Sequence, residues 1–137
     1  MIQLIAGAQG QGKTKKLLQM ANDALKQTDG RVVFIDKNIR HMHTLHFDIR
    51  LVEMNNLVLE NYGEFIGCLY GILAMDSDIK EIFVDGLTYL IKNISNDDLI
   101  GLVAKLKHLN KTHGVNFVSS MNCNPDELPA EIKEYLV

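Results

Sequence analysis

The run Gly7-Ala8-Gln9-Gly10-Gln11-Gly12-Lys13-Thr14 constrains this chain more than any other feature. It fits the pattern G-x-x-x-x-G-K-[ST] at every fixed position. Small residues let successive backbone N–H groups curl around a polyphosphate. A lysine and a hydroxyl follow where the β- and γ-phosphates and a Mg²⁺ ion would sit. The flanking residues suit such a loop. Met1 to Ala6 is a short apolar run fit for a buried strand, and Lys15 to Lys26 places Leu17, Leu18, Ala21, Ala24 and Leu25 at helical spacing. Strand, glycine loop and helix in that order predict an anion site at the amino end of a helix.

The remainder alternates in the same way. Arg31 to Ile35 reads as a second strand after the Asp29-Gly30 turn signal, ending at Asp36. A polar, histidine-bearing connection covers Lys37 to Phe47. Asp48 to Met54 alternates apolar and charged residues, as a half-exposed strand near a sheet edge does. A helix is expected over Tyr62 to Met75, a buried strand over Glu81 to Asp85, and a helix over Asp97 to Lys111 capped by Ser95 or Asn96. Val115 to Ser120 is the last clear strand, and the tail from Asn124 reads as a turn and a short helix. Strands alternating with helices predict a mostly parallel sheet of about five strands, with helices on both faces.

Composition narrows the class. At 137 residues the chain suits one domain spanning 1–137 and is too short for two. A formal charge of −3 gives no general attraction to nucleic acid or anionic lipid, so nucleic acid stays a possible partner without support from net charge. No apolar run approaches the roughly 20 residues that span a bilayer, and no leader pattern is visible, so no membrane partner is expected. Cys68 and Cys123 are isolated, which suggests neither a disulfide framework nor a zinc site and fits a cytoplasmic protein.

Residues 1 to 26, together with Glu81-Ile82-Phe83-Val84-Asp85, resemble the two signatures of P-loop NTPases. The resemblance implies a three-layer α/β/α P-loop NTPase fold that binds ATP and Mg²⁺. Gly7, Ala8, Gln9, Gly10, Gln11, Gly12, Lys13 and Thr14 would hold the phosphates, and Thr14 and Asp85 would hold the metal. Lys13, Asp36 and Asp85 are the candidate catalytic residues. Ser119 and Ser120, ending the strand after that of Asp85, fall where the superfamily often senses the γ-phosphate, with Asn122 as competitor. Many hydrolytic members follow the strand aspartate with a glutamate that polarises water; here Gly86 follows. Asp36 is the substitute at the same sheet edge, whereas Glu81 opens its strand at the opposite one.

The layout is similar to the RecA-like group, which includes thymidine kinases and DNA-pumping motors, and Asn124 to Ile132 is similar to a proline-leucine-proline turn of some hexameric motors. The zinc-binding cysteines of thymidine kinases are absent. So is the late arginine lid of small-molecule kinases, because the only arginines are Arg31, Arg40 and Arg50. Asn110-Lys111-Thr112-His113 begins like a guanine-reading motif but ends in histidine, leaving adenine by elimination. The expected activity is slow Mg-dependent ATP hydrolysis, with a non-catalytic nucleotide sensor or a small-molecule kinase as alternatives. A homo-oligomer or protein partner could supply Arg40 or Arg50 across an interface. His41, His43 and His46 read as a solvated loop rather than a metal cluster, and the lysines at 105, 107 and 111 as a solvated helix face.

Overall fold

A computed structural model describes residues 1–38 and 40–137. Five strands form one sheet, β1 (Ile2–Gly7), β2 (Arg31–Asp36), β3 (Arg50–Glu53), β4 (Ile79–Val84) and β5 (Asn116–Asn122), in the order β1-β5-β4-β2-β3. Every pairing is parallel. The helices are α1 (Lys13–Gln27), α2 (Tyr62–Met75), the one-turn α3 (Leu87–Leu90), α4 (Asn96–His113) and the short α5 (Ala130–Lys133), with a 3₁₀ turn at Pro125–Glu127.

Parallel strands need crossovers, and crossovers keep one hand. The two that move towards β3, through α1 and through the connection after β2, run over one face. There Leu17, Leu18 and Ala21 of α1 join Leu45 and Ile49 against Ile5, Phe34, Phe83 and Val118. The two that move back towards β1, through α2 and α4, run over the other. Phe65, Leu69, Leu102, Leu106 and Leu109 pack there on Leu4, Ile35, Ile82, Val84 and Phe117. Adjacent strand residues serve opposite faces, so β2, β4 and β5 are buried over most of their length. Helices thus cover both faces, an arrangement compatible with a three-layer α/β/α build.

Local chemistry fixes the helix starts. The Asn61 side chain accepts from Glu64 N at 3.0 Å to open α2. Ser95 and Asp98 form a reciprocal capping box that opens α4, with bonds of 3.1 and 2.9 Å. The Ser95 alternative is therefore the cap, and Asn96 is the first helical residue. After α5 the chain returns to the outer edge of β1, where Leu4 N donates to Tyr135 O at 2.8 Å and Val137 N donates to Leu4 O at 3.0 Å. Among the described residues no helix is long and apolar enough to cross a membrane.

Candidate functional site

The glycine run connects β1 directly to α1. Gly10 and Gly12 take φ of +84° and +78°, the left-handed region that a Cβ disfavours, and this lets the loop turn back over the helix end. The Gln11 side chain accepts from Ala8 N at 2.8 Å, and Lys13 Nζ donates to Ala8 O at 2.6 Å. Unlike α2 and α4, α1 has no side-chain cap and no acid in its first turn. Its first amides and the positive end of its dipole lie bare beside the loop.

Strand parity gathers the other polar groups. Asp36, Asp85, Ser120 and Asn122 all fall in phase with the residues that face α1, at the carboxyl ends of β2, β4 and β5. Thr14 Oγ1 lies 3.2 and 3.1 Å from the two carboxylate oxygens of Asp85 and donates to that group. Ser120 Oγ donates to Asp85 Oδ1 at 2.7 Å and accepts from Gly86 N at 2.8 Å. One hydroxyl therefore ties the aspartate to the start of α3. Asn122 N donates to Thr88 Oγ1 at 3.2 Å, and its side-chain amide reaches the Tyr89 hydroxyl.

These groups line an open cleft of about 490 Å³, shared with Gln9, Gly10, Gly12, Lys13, Lys37, Asn38 and Arg40. The volume lies within the usual range for small-ligand sites. The chain leaving β1 crosses one face and the chain leaving β4 crosses the other, so the loops part above β5 and leave the cleft open.

Asp36 is buried, with its backbone one residue past the β2–β4 pairing. Lys37 N donates to its Oδ1 at 2.6 Å. Burial first, and then the nearby Asp85 carboxylate, raise its pKa above the ordinary value; the amides of Lys37 and Asn38 and the His41 ring offset part of this.

Other sequence candidates fall elsewhere. Ser119 has the opposite parity to Ser120: it is buried on the α4 side, beside Leu4, Val84 and Leu102, and its hydroxyl donates to Ser120 O at 3.1 Å. Ser119 does not line the cleft, whereas Ser120 and the competing residue Asn122 both do. Arg50 opens β3 at the amino ends of the strands and lies 3.8 Å from Asp76, which also holds Arg31 at 3.0 Å. Arg40 instead lines the cleft of its own chain. Glu81 accepts from Asn116 Nδ2 at 3.0 Å, remote from the cleft.

Of the three loop histidines, His43 and His46 are exposed, but His41 is half-buried beside Asp36 and Asp85. The sequence alone puts His41 in a solvated loop. Only its position soon after a strand-ending acid pointed to the cleft, and polar connections commonly follow strands without entering a site.

Gly86 has φ +78°, and a Cβ built on it would come within 2.8 Å of the Tyr89 ring. A glutamate at this position is thus opposed by both backbone and packing. Comparison with the models of known protein families and with curated proteins finds no match for the chain.

Proposed function

We propose that the chain is a P-loop nucleotide-binding protein that takes ATP with Mg²⁺ in this cleft and hydrolyses it slowly in the RecA-like manner. The observation that carries the reading is the bare amino end of α1. A 15-residue helix starts on a glycine loop, with Lys13, Lys15 and Lys16 in its first turn and no capping side chain or acid. Its amides and dipole call for an anion, and the cleft has room for one. Loop amides from Gly10 to Thr14 would bind the phosphates, with Lys13 swinging from Ala8 O to reach the outer ones.

The Thr14 hydroxyl and the Asp85 carboxylate, already adjacent, offer the hard oxygen donors that Mg²⁺ favours, so these residues fit the ion. When bound, the ion neutralises phosphate charge. Ser120 holds Asp85 in place. Asp36, at the same edge, would position the attacking water and accept its proton. Adenine is preferred by elimination, and the compartment we propose is the cytoplasm, which keeps free thiols such as Cys68 and Cys123 reduced.

Gly86 specifically favours a second reading, a nucleotide-binding sensor or adaptor without turnover, because a glutamate there would meet a left-handed backbone and the Tyr89 ring. A thermal-shift panel of nucleoside triphosphates with and without Mg²⁺ tests the first claim. Saturating Mg·ATP at a hundred times Kd should stabilise the protein by about 2.7 kcal/mol. Lys13→Ala should lose most of that shift while keeping the unliganded melting temperature. No shift with any nucleotide, or an unchanged shift in the variant, overturns nucleotide binding at this loop. Steady-state phosphate release then separates a slow ATPase from a sensor.

A further inference from the structure

Asp36, His41 and Asp85 each present a ligand atom within 4.8 Å of the other two. Asp36 is only 4% exposed, and its Oδ2 is buried without a hydrogen bond among the described residues, on the wall of the cleft. Two buried carboxylates facing one space, one with an idle oxygen, leave a negative site that a cation would satisfy. We propose that Asp36, His41 and Asp85 form a divalent-metal site that loads without nucleotide and prefers a cation of the manganese-to-cobalt group over Mg²⁺.

The preference follows from the donor set. Oxygen-only sites suit Mg²⁺ and Ca²⁺, whereas an imidazole beside two carboxylates favours ions that accept nitrogen. Adjacent donors around a six-coordinate ion of this size lie about 3 Å apart, given bonds of roughly 2.1 Å. Three atoms within 4.8 Å can therefore close around one ion by small side-chain rotations. Asp85 would be shared with the Thr14 position. Asp36 would act here as a ligand, so the proposal concerns the same cleft as the nucleotide reading but does not depend on it.

Arg40 supplies an internal control. Its Nε donates to His41 Nε2 at 3.2 Å. If Nε2 takes the metal, its lone pair is no longer available to Arg40. If Nδ1 takes it, Nε2 carries the proton and cannot accept. Either way the metal displaces Arg40, whose positive charge also opposes the ion.

The test is a Mn²⁺ titration of tag-free, nucleotide-free protein, read by loss of the free-ion electron paramagnetic resonance signal, with Mg²⁺ as competitor. Wild type should bind one Mn²⁺ and resist exchange by Mg²⁺. His41→Gln should weaken Mn²⁺ at least about tenfold, the low end of what even an outer-shell change costs a metal site. It should change Mg²⁺ affinity far less, so the discrimination collapses. Arg40→Ala should tighten Mn²⁺ binding, while His43→Gln, an exposed neighbour, should leave it unchanged. With Co²⁺, a hyperfine-shifted imidazole N–H resonance should appear in wild type and vanish in His41→Gln. Equal Mn²⁺ affinity in wild type and folded His41→Gln, or no Mn²⁺ uptake at millimolar concentration, overturns the site. Because no nucleotide is present, neither result depends on whether the glycine loop binds ATP.

Discussion

Asp36 costs the fold something at neutral pH, and the sign of that cost can be worked out. Burial and Asp85 raise its pKa in the folded protein above the ordinary value it regains on unfolding. Between those two values the folded state binds more protons, so stability falls as pH rises through the folded pKa. The protonated form, below the unfolded pKa, carries no such penalty. Asp36→Asn should therefore melt higher than the parent near pH 7 in a chelating buffer, and the gap should close as the pH falls towards about 4. A variant that melts lower, or a gap that ignores pH, would show that the carboxylate is satisfied in a way the buried Oδ2 does not suggest. The same variant separates the two proposed roles: loss of a water-positioning group alone lowers turnover, whereas loss of a ligand also lowers Mn²⁺ affinity.

At the scale of elements, two of the three long helices have sealed starts and the third, α1, is left open. Ser95→Ala breaks the capping box of α4 and should cost about 1 kcal/mol in denaturant unfolding, with the slope unchanged. A neutral result would mean that the packing of Leu99 and Leu102 alone sets the start. The open end of α1 was plain in the sequence, since glycines and lysines stand where caps and acids usually do. The long periodic elements were legible for a similar reason: Leu17 to Leu25, Phe65 to Leu73 and Leu99 to Leu109 each keep a stripe on one face. Short elements were legible only in part: the turn and short helix of the tail are expected from the sequence, but α3 is not. Leu87–Leu90 is a single turn, too brief to show a period, and its start depends on the left-handed Gly86. The last residues pair with β1 through main-chain bonds, which side-chain identity scarcely encodes. Ser119 and Ser120 looked equivalent as a pair, and only the register of β5 against β1 and β4 separates the cleft residue from the core residue.

For the molecule as a whole, strand order was the missing knowledge. Alternation implies a parallel sheet, but it cannot say that β5 lies between β1 and β4. That insertion brings Ser120 to Asp85, and the crossover after β2 brings His41 and Arg40 to the cleft. With Arg40 on its own chain's cleft, a neighbour need not supply an arginine; what it would add is an acid that reinforces Asp36, the stand-in for the glutamate that Gly86 replaces. We expect turnover per chain to rise with protein concentration as assembly or a partner provides it. Arg40→Ala should lower turnover by a constant factor throughout. Sedimentation and phosphate release over a wide concentration range check this, and a strict monomer with constant specific activity would rule assembly out. Placing the site by parity also has a consequence for how such a chain tolerates change. Insertions in the surface connections leave the cleft residues carried by β2, β4 and β5 in phase. One residue gained or lost inside β2, β4 or β5 turns the residues beyond it over, sending an acid or a serine into the α4-side core and an apolar side chain into the cleft. Lineages of this protein should therefore vary in loop length while the spacing within these three strands stays fixed.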